Sequence, residues 1–178
     1  SEDGLTQNTI TSLFMDNAGM LWIGTQDGLH AYNGHSFNIF PHSPNDPRSI
    51  SESYVSDIIQ DSEGNIWVST FSQGVNRLDL STGTFEHFGQ EQGLTDPRTT
   101  KLSVVGNTLW IGTKAGLFSL STKTKRITQV NLGNSVQPHI TSLANVEDTY
   151  LLAGTQDSGT FAVSANTITL LDVPQNLP

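Results

Sequence analysis

An all-β array of four repeated four-stranded sheets is predicted by three observations. Leu21-Trp22-Ile23-Gly24-Thr25 recurs as Ile66-Trp67-Val68-Ser69-Thr70 and Leu109-Trp110-Ile111-Gly112-Thr113, and in weaker form as Leu151-Leu152-Ala153-Gly154-Thr155. The anchors at 22, 67, 110 and 152 lie 45, 43 and 42 residues apart, the period of a repeat array. Short apolar runs around each anchor are separated by turn chemistry, supplied by many of the 16 glycines and 7 prolines.

The first repeat reads as strands Thr9–Asp16, Met20–Thr25, Leu29–Tyr32 and Phe37–Phe40, with turns at Asn17-Ala18-Gly19, Gln26-Asp27-Gly28 and Asn33-Gly34. The second reads as Val55–Asp61, Asn65–Thr70, Val75–Leu80 and Phe85–Phe88. The third reads as Thr100–Val105, Thr108–Thr113, Leu117–Leu120 and Arg126–Val130, its first turn shortened to Gly106-Asn107. The fourth reads as Ile140–Val146, Thr149–Thr155, Thr160–Val163 and Thr167–Leu171. It is secured by a shared offset of 130 residues, which maps Ile10-Thr11-Ser12-Leu13 onto Ile140-Thr141-Ser142-Leu143 and Gly24-Thr25-Gln26-Asp27 onto Gly154-Thr155-Gln156-Asp157.

Four antiparallel strands per repeat of this length make a β-propeller blade. Blades stack face to face, so middle strands are covered on both sides and read as continuous apolar runs. The tryptophan fills the gap between neighbouring blades. The Gly or Ser two residues later removes bulk where the next blade's backbone approaches. The rival, a β-solenoid, has a shorter repeat. The 178 residues are read as one propeller segment with blades at about 4–41, 50–89, 93–131 and 136–172. Pro41–Ser53 is the crossing from blade 1 to blade 2. Gly133–Pro138 and Val173–Pro178 are loop or tail.

Composition removes several functions. With 8 basic and 17 acidic residues the net charge is −9, a poor match for phosphate backbones. No apolar run is long enough to span a membrane as a helix. There is no cysteine, hence no disulfide, thiolate metal site or thiol nucleophile. His30, His35, His42, His87 and His139 show no common zinc spacing, and neither a nucleophile elbow nor a His-Glu-x-x-His motif occurs. No catalytic residue, metal site or cofactor is therefore assigned. Asp16 and Asp61, each three residues before a turn glycine, are read as acceptors for their own turn's backbone rather than as calcium ligands.

Several of these motifs resemble a known family. Gly4-Leu5-Thr6-Gln7-Asn8, Phe14-Met15-Asp16, Asn17-Ala18-Gly19, Leu21–Thr25 and Gly28-Leu29 are similar to the two-component regulator propeller repeat. Ile59–Val68 and Gly74–Leu78 match it in blade 2, with a looser match in blade 3 and a weak one in blade 4. The resemblance implies a seven-bladed propeller, often one of two in tandem, in the extracytoplasmic sensor part of hybrid histidine kinases or diguanylate cyclases. Several members of that family sense oligosaccharides. It further implies that this chain is the N-terminal four blades of a longer, periplasmic receptor region, not catalytic by itself. The departure from the family is the count of four repeats.

In such a sensor, the turns between second and third strands and the blade crossings share one face. The turns supply Gln26, Asp27, Phe71, Gln73, Lys114, Gln156 and Asp157. The crossings supply His42, Arg48, Arg98 and His139. Amides, charges and an aromatic suit sugar hydroxyls and apolar ring faces. A small molecule or oligosaccharide is the expected ligand, and a dimer formed through exposed blade faces the expected assembly. The alternatives are a protein-interaction scaffold of the WD40 or kelch kind, and a propeller lyase of the streptogramin lyase type, which the repeat also resembles.

Overall fold

The computed structural model describes residues 9–133, 137–164 and 167–171. The expected motif at Gly4–Asn8 and the tail at Val173–Pro178 lie outside them, as does part of the loop Gly133–Pro138. Sixteen strands form four separate antiparallel sheets among the described residues. Blade 1 comprises β1 (Ile10–Met15), β2 (Leu21–Thr25), β3 (Gly28–Tyr32) and β4 (Phe37–Phe40). Blade 2 comprises β5 (Val55–Gln60), β6 (Ile66–Thr70), β7 (Gly74–Asp79) and β8 (Thr84–Phe88). Blade 3 comprises β9 (Thr99–Val105), β10 (Thr108–Thr113), β11 (Gly116–Ser121) and β12 (Ile127–Val130). Blade 4 comprises β13 (Ile140–Val146), β14 (Tyr150–Thr155), β15 (Thr160–Val163) and β16 (Ile168–Leu171). Each sheet is a simple meander in chain order, and every bound falls within one residue of the sequence expectation. One element was not anticipated, a 3-10 turn at Gln90–Gln92.

Three apolar clusters lie between successive blades. Trp22 packs with Val55, Val68, Leu78 and Phe85 of blade 2. Trp67 packs with Leu102, Leu109 and Leu120 of blade 3, and Trp110 with Leu151, Phe161 and Val163 of blade 4. Each fully buried aliphatic side chain in these clusters contributes roughly 1.5–3 kcal/mol. The indoles therefore fill the gaps between blades, as the repeat predicts.

The small residue after each anchor works differently from the expectation. A Cβ built on Gly24 would lie 2.6 Å from Cγ1 of Val55, and one on Gly112 would lie 2.7 Å from Cγ2 of Ile140. The glycine accommodates the next blade's side chain, not its backbone. Where blade 2 has Ser69, the contact becomes polar. Ser56 Oγ lies 2.8 Å from Ser69 Oγ and 3.2 Å from Thr99 Oγ1, and Thr99 donates to the Thr70 carbonyl. Knob and hole thus change together along the array.

The first strands lie side by side, β1 on β5, β5 on β9 and β9 on β13. Asp57 binds three blades there. Its carboxylate accepts from Ser12 Oγ of blade 1 at 3.1 Å and from the Leu102 N–H of blade 3 at 2.9 Å, with Lys101 Nζ at 3.8 Å.

Asp16 and Asp61 close their turns as expected. Oδ1 of Asp16 accepts the N–H groups of Ala18 and Met20, and Oδ1 of Asp61 those of Glu63 and Asn65. The second oxygen does something the turn alone does not reveal. It accepts the indole N–H of Trp22 in one blade and of Trp67 in the next, both at 2.8 Å. One carboxylate therefore ties the turn to the inter-blade anchor.

Candidate ligand-binding surface

The threonine ending each second strand sets the next turn. Oγ1 of Thr25, Thr70, Thr113 and Thr155 donates to the carbonyl of Gly28, Gly74, Gly116 and Gly159 at 2.7–3.3 Å. In blades 1, 3 and 4 the same oxygen accepts a turn N–H, from Asp27, Ala115 or Ser158. The glycines take φ of 119°, 88°, 123° and 77°, the left-handed region in which other residues are strained. A turn closed in this way presents its tip side chains on a rigid base.

In blades 2 to 4 a backbone bond then joins the turn to the segment leading into its own blade. The N–H of Phe71 donates to Tyr54, that of Lys114 to Arg98, and that of Gln156 to His139, at 3.0, 3.1 and 3.0 Å. The expected residues Arg98 and Lys114 are thereby paired, as are His139 and Gln156, whose side chains also meet at 2.8 Å. In blade 2 the partner of Phe71 is Tyr54, which sequence reasoning missed. Tyr54 immediately precedes β5 as Arg98 immediately precedes β9, and that register position was its only signal.

Blades 2 and 3 combine these pairs into a shelf. Tyr54 and Phe71 lie 5.3 Å apart at 48°, and Lys114 Nζ stands 5.0 Å from the Phe71 ring centroid. Phe71 is exposed, an aromatic face open to a partner. Beside it Arg98 Nε meets Asp96 Oδ1 at 2.7 Å. Burial works to raise the Asp96 pKa, but hydrogen bonds and charge from Arg98, with Thr113, outweigh it and hold the carboxyl below its ordinary value. Arg98 is correspondingly held above its own.

A polar cleft of about 420 Å³ adjoins the shelf, lined by Ser51, Ser72, Gln73, His87, Gln90 and Gln92 among others. The 3-10 turn forms one wall, and Glu52 fixes Ser72 by accepting from its N–H and its hydroxyl at 2.7 and 2.9 Å. Gln73 belongs to this cleft. The remaining expected residues are not gathered here. Gln26 and Asp27 are exposed at the blade 1 turn, and Asp157 at the blade 4 turn. His42 is engaged inside the crossing, its Nδ1 2.7 Å from the Ile50 carbonyl. Arg48 lies by the outermost strand of blade 2, where its carbonyl accepts the Phe85 N–H and its guanidinium faces Asp46 at 3.7 Å. No group of three or more His, Asp or Glu side chains able to hold a metal occurs among the described residues. None of their helices is long and apolar enough to cross a membrane.

His30, fully buried in β3, gives the molecule a pH response. Burial lowers its pKa below 6.5, against the opposing effects of Asp27 and of the backbone at Gly28 and Ile23. The unfolded chain therefore takes up a proton first, so this contribution to stability is present above about pH 6.5 and is lost as the pH falls through the lower folded value. The unfolding midpoint should fall more steeply between about pH 7 and pH 5 than that of His30→Gln. Parallel curves for the two proteins would contradict the assignment.

The comparisons with known proteins agree with the fold. The family model described as two component regulator propeller matches residues 4–27 and 49–72. A 49-residue stretch is 45% identical to histidine kinase P4 of Formosa agariphila, covering 28% of this chain and 4% of that protein. The extracellular domain of a putative hybrid two component system from B. thetaiotaomicron superposes with a TM-score of 0.69 at 23% identity, over 94% of this chain and 30% of that one. The extracellular domain of a putative one component system from the same organism gives 0.73 at 20% identity, over 94% and 26%. Virginiamycin B lyase from Staphylococcus aureus gives 0.76 at 14% identity, over 96% and 58%. The chain thus spans under a third of the two-component proteins it matches, and at these identities the solved structures speak for the fold alone. The chain is a segment of four β-propeller blades, the first two of which contain stretches that match the two-component regulator propeller repeat.

Proposed function

We propose that residues 1–178 form a single propeller segment, with blades at about 4–41, 50–89, 93–131 and 136–172, in the extracytoplasmic sensor region of a bacterial signalling receptor. In this reading the segment is periplasmic, binds an oligosaccharide without transforming it, and passes the signal to an output domain elsewhere in the receptor. The repeat match and the stretch shared with a histidine kinase support the signalling role, since a propeller by itself does not choose between sensor, scaffold and lyase. The observation that carries ligand binding is the shelf of blades 2 and 3. Its exposed Phe71 can cover an apolar sugar face, with Lys114 and Arg98 beside it and the amides of Gln73 and its neighbours ready for hydroxyls.

Isothermal titration with a panel of neutral and acidic oligosaccharides tests this. One of them should bind, and Phe71→Ala should weaken it about tenfold, the equivalent of one lost aromatic stacking contact. Binding of none, or equal affinity in the variant, would remove the reading.

Self-association belongs to the same proposal. Ile10, Leu13 and Met15 on β1, and Leu170 and Leu171 on β16, leave apolar side chains uncovered, Leu13 being 62% exposed. Uncovered blade surfaces of this kind favour pairing. Light scattering should show a dimer that Leu13→Asp converts to monomer. A monomer at every concentration would contradict it.

A further inference from the structure

Trp110 breaks the pattern of its two counterparts. In blades 1 and 2 the indole acceptor is the residue following the strand partner of the residue just before the tryptophan. Met15 pairs with Leu21 and Asp16 follows; Gln60 pairs with Ile66 and Asp61 follows. In blade 3 Val104 pairs with Leu109, so the residue that follows is Val105, which accepts nothing. Trp110 Nε1 is buried without a hydrogen-bond partner, in a side chain 8% exposed. In blade 4 indole and acceptor are lost together, as Leu152 and Val146. Blade 3 alone keeps the donor and loses the acceptor.

Space has opened at the same place. Between blades 1 and 2 the outer gap is filled by two aromatics, Phe40 and Phe85, whose ring centroids lie 6.0 Å apart. Between blades 2 and 3 their register equivalents are Phe88 and Ile127, and the Lys125 ammonium also covers the Trp67 ring at 4.9 Å. Between blades 3 and 4 they are Val130 and Ile168. Phe85 is 6% exposed, whereas Ile168 is 43% exposed. The missing volume is a cleft of about 430 Å³ lined by Trp110, Ser119, Val130, Val163 and Ile168 among others. Beside it, sharing Trp110, a cavity of about 210 Å³ is lined by Val105, Thr108, Asp148 and Tyr150. Val105 holds the position to which the other two indoles point, and it lines that smaller cavity together with Trp110, whose N–H has no protein partner.

We propose that this cleft between blades 3 and 4 is a second binding site, for one ring of a neutral polyhydroxylated molecule. The chemistry follows from the lining. The indole needs an acceptor, and Asp148, the only charged side chain lining either cavity among the described residues, repels an anion and already accepts the Gly106 N–H at 2.8 Å. An ammonium group offers the indole nothing. A hydroxyl accepts from Trp110 and donates to Asp148 or to the Thr108 and Ser164 hydroxyls. Val130, Val163 and Ile168 cover the apolar face of the ring. The site is separate from the Phe71 shelf and does not depend on it.

The indole N–H resonances of the whole chain report on this site directly, with the Trp110 signal assigned by its absence in Trp110→Phe. Titration with glucose, galactose, mannose and myo-inositol should move the Trp110 signal saturably with at least one of them and leave those of Trp22 and Trp67 in place. Ile168→Phe restores the lost aromatic volume and should weaken that binding at least tenfold, whereas Phe71→Ala should leave it unchanged. A Trp110 signal unmoved by all four polyols, one that shows only a trapped water, or binding undiminished in a folded Ile168→Phe protein would overturn the proposal.

Discussion

Replacing Asp61 with alanine lowers stability by about 3 kcal/mol, because a charged acceptor of several hydrogen bonds disappears while its donors stay buried. Its Oδ1 serves Glu63 and Asn65 at 3.0 and 2.9 Å, and its Oδ2 serves the Trp67 indole at 2.8 Å. Trp67→Phe removes only the indole donor and some volume, and should cost about 2 kcal/mol. Trp110→Phe is the control. The ring it retains still packs against blade 4, and the N–H it removes has no partner, so only the lost volume counts and its cost should be about 1 kcal/mol or less. Urea unfolding of the three variants measures the contrast. Equal losses for the two Trp→Phe variants would show that the carboxylate does not secure the anchor.

Gly112→Ala should be nearly as damaging, at about 2 kcal/mol, although it adds one methyl group. The added carbon would lie 2.7 Å from Ile140 Cγ2, and Ile140 is fully buried on the first strand of the next blade. Gly112 does not take a positive φ, so collision is the whole effect and backbone strain contributes nothing. Truncating the knob removes the collision. The double variant Gly112→Ala/Ile140→Ala should therefore lose less than the sum of the two single variants, a coupling expected only of residues in contact. Additive losses would place Gly112 and Ile140 out of contact.

The two predictions draw on features of different legibility. The strand plan could be read because every turn announces itself locally, as at Asn17-Ala18-Gly19 or Asn33-Gly34, and because the anchors repeat. The roles of Gly24 and Gly112 were half legible. Their small size was evident, but the side chain each accommodates comes from the next blade, about thirty residues on. Asp57 was not legible, since its partners Ser12 and Leu102 lie one blade away on either side, 45 residues in both directions. Periodicity identifies Ser12, Asp57 and Lys101 as equivalent positions, but it does not reveal that their side chains meet across the blade boundaries.

The candidate site divides along the same line. Phe71, Lys114 and Arg98 could be placed together because turn and crossing positions follow from the blade plan. Tyr54 was overlooked because it reads as the end of a loop, and the polar cleft because a 3-10 turn of three residues carries no periodic signal. His42 and Arg48 were expected at the binding face because the whole Pro41–Ser53 crossing was assigned to it. In the fold only the end of that crossing, at Ser51 and Glu52, reaches the cleft, whereas His42 and Arg48 meet Ile50, Phe85 and Asp46 near the outermost strand of blade 2. The orphan indole of Trp110 needed the register itself, because the shortened Gly106-Asn107 turn hides which residue stands where Asp16 and Asp61 stand.

Hydrogen exchange of the three indole N–H groups tests the central claim most directly, namely that successive blades are joined through buried tryptophans and that carboxylates lock the first two. The indole protons of Trp22 and Trp67 should exchange among the slowest in the molecule, at rates set by opening of the blade interfaces, with that of Trp110 distinctly faster. Exchange of Trp67 as fast as that of Trp110 would contradict it.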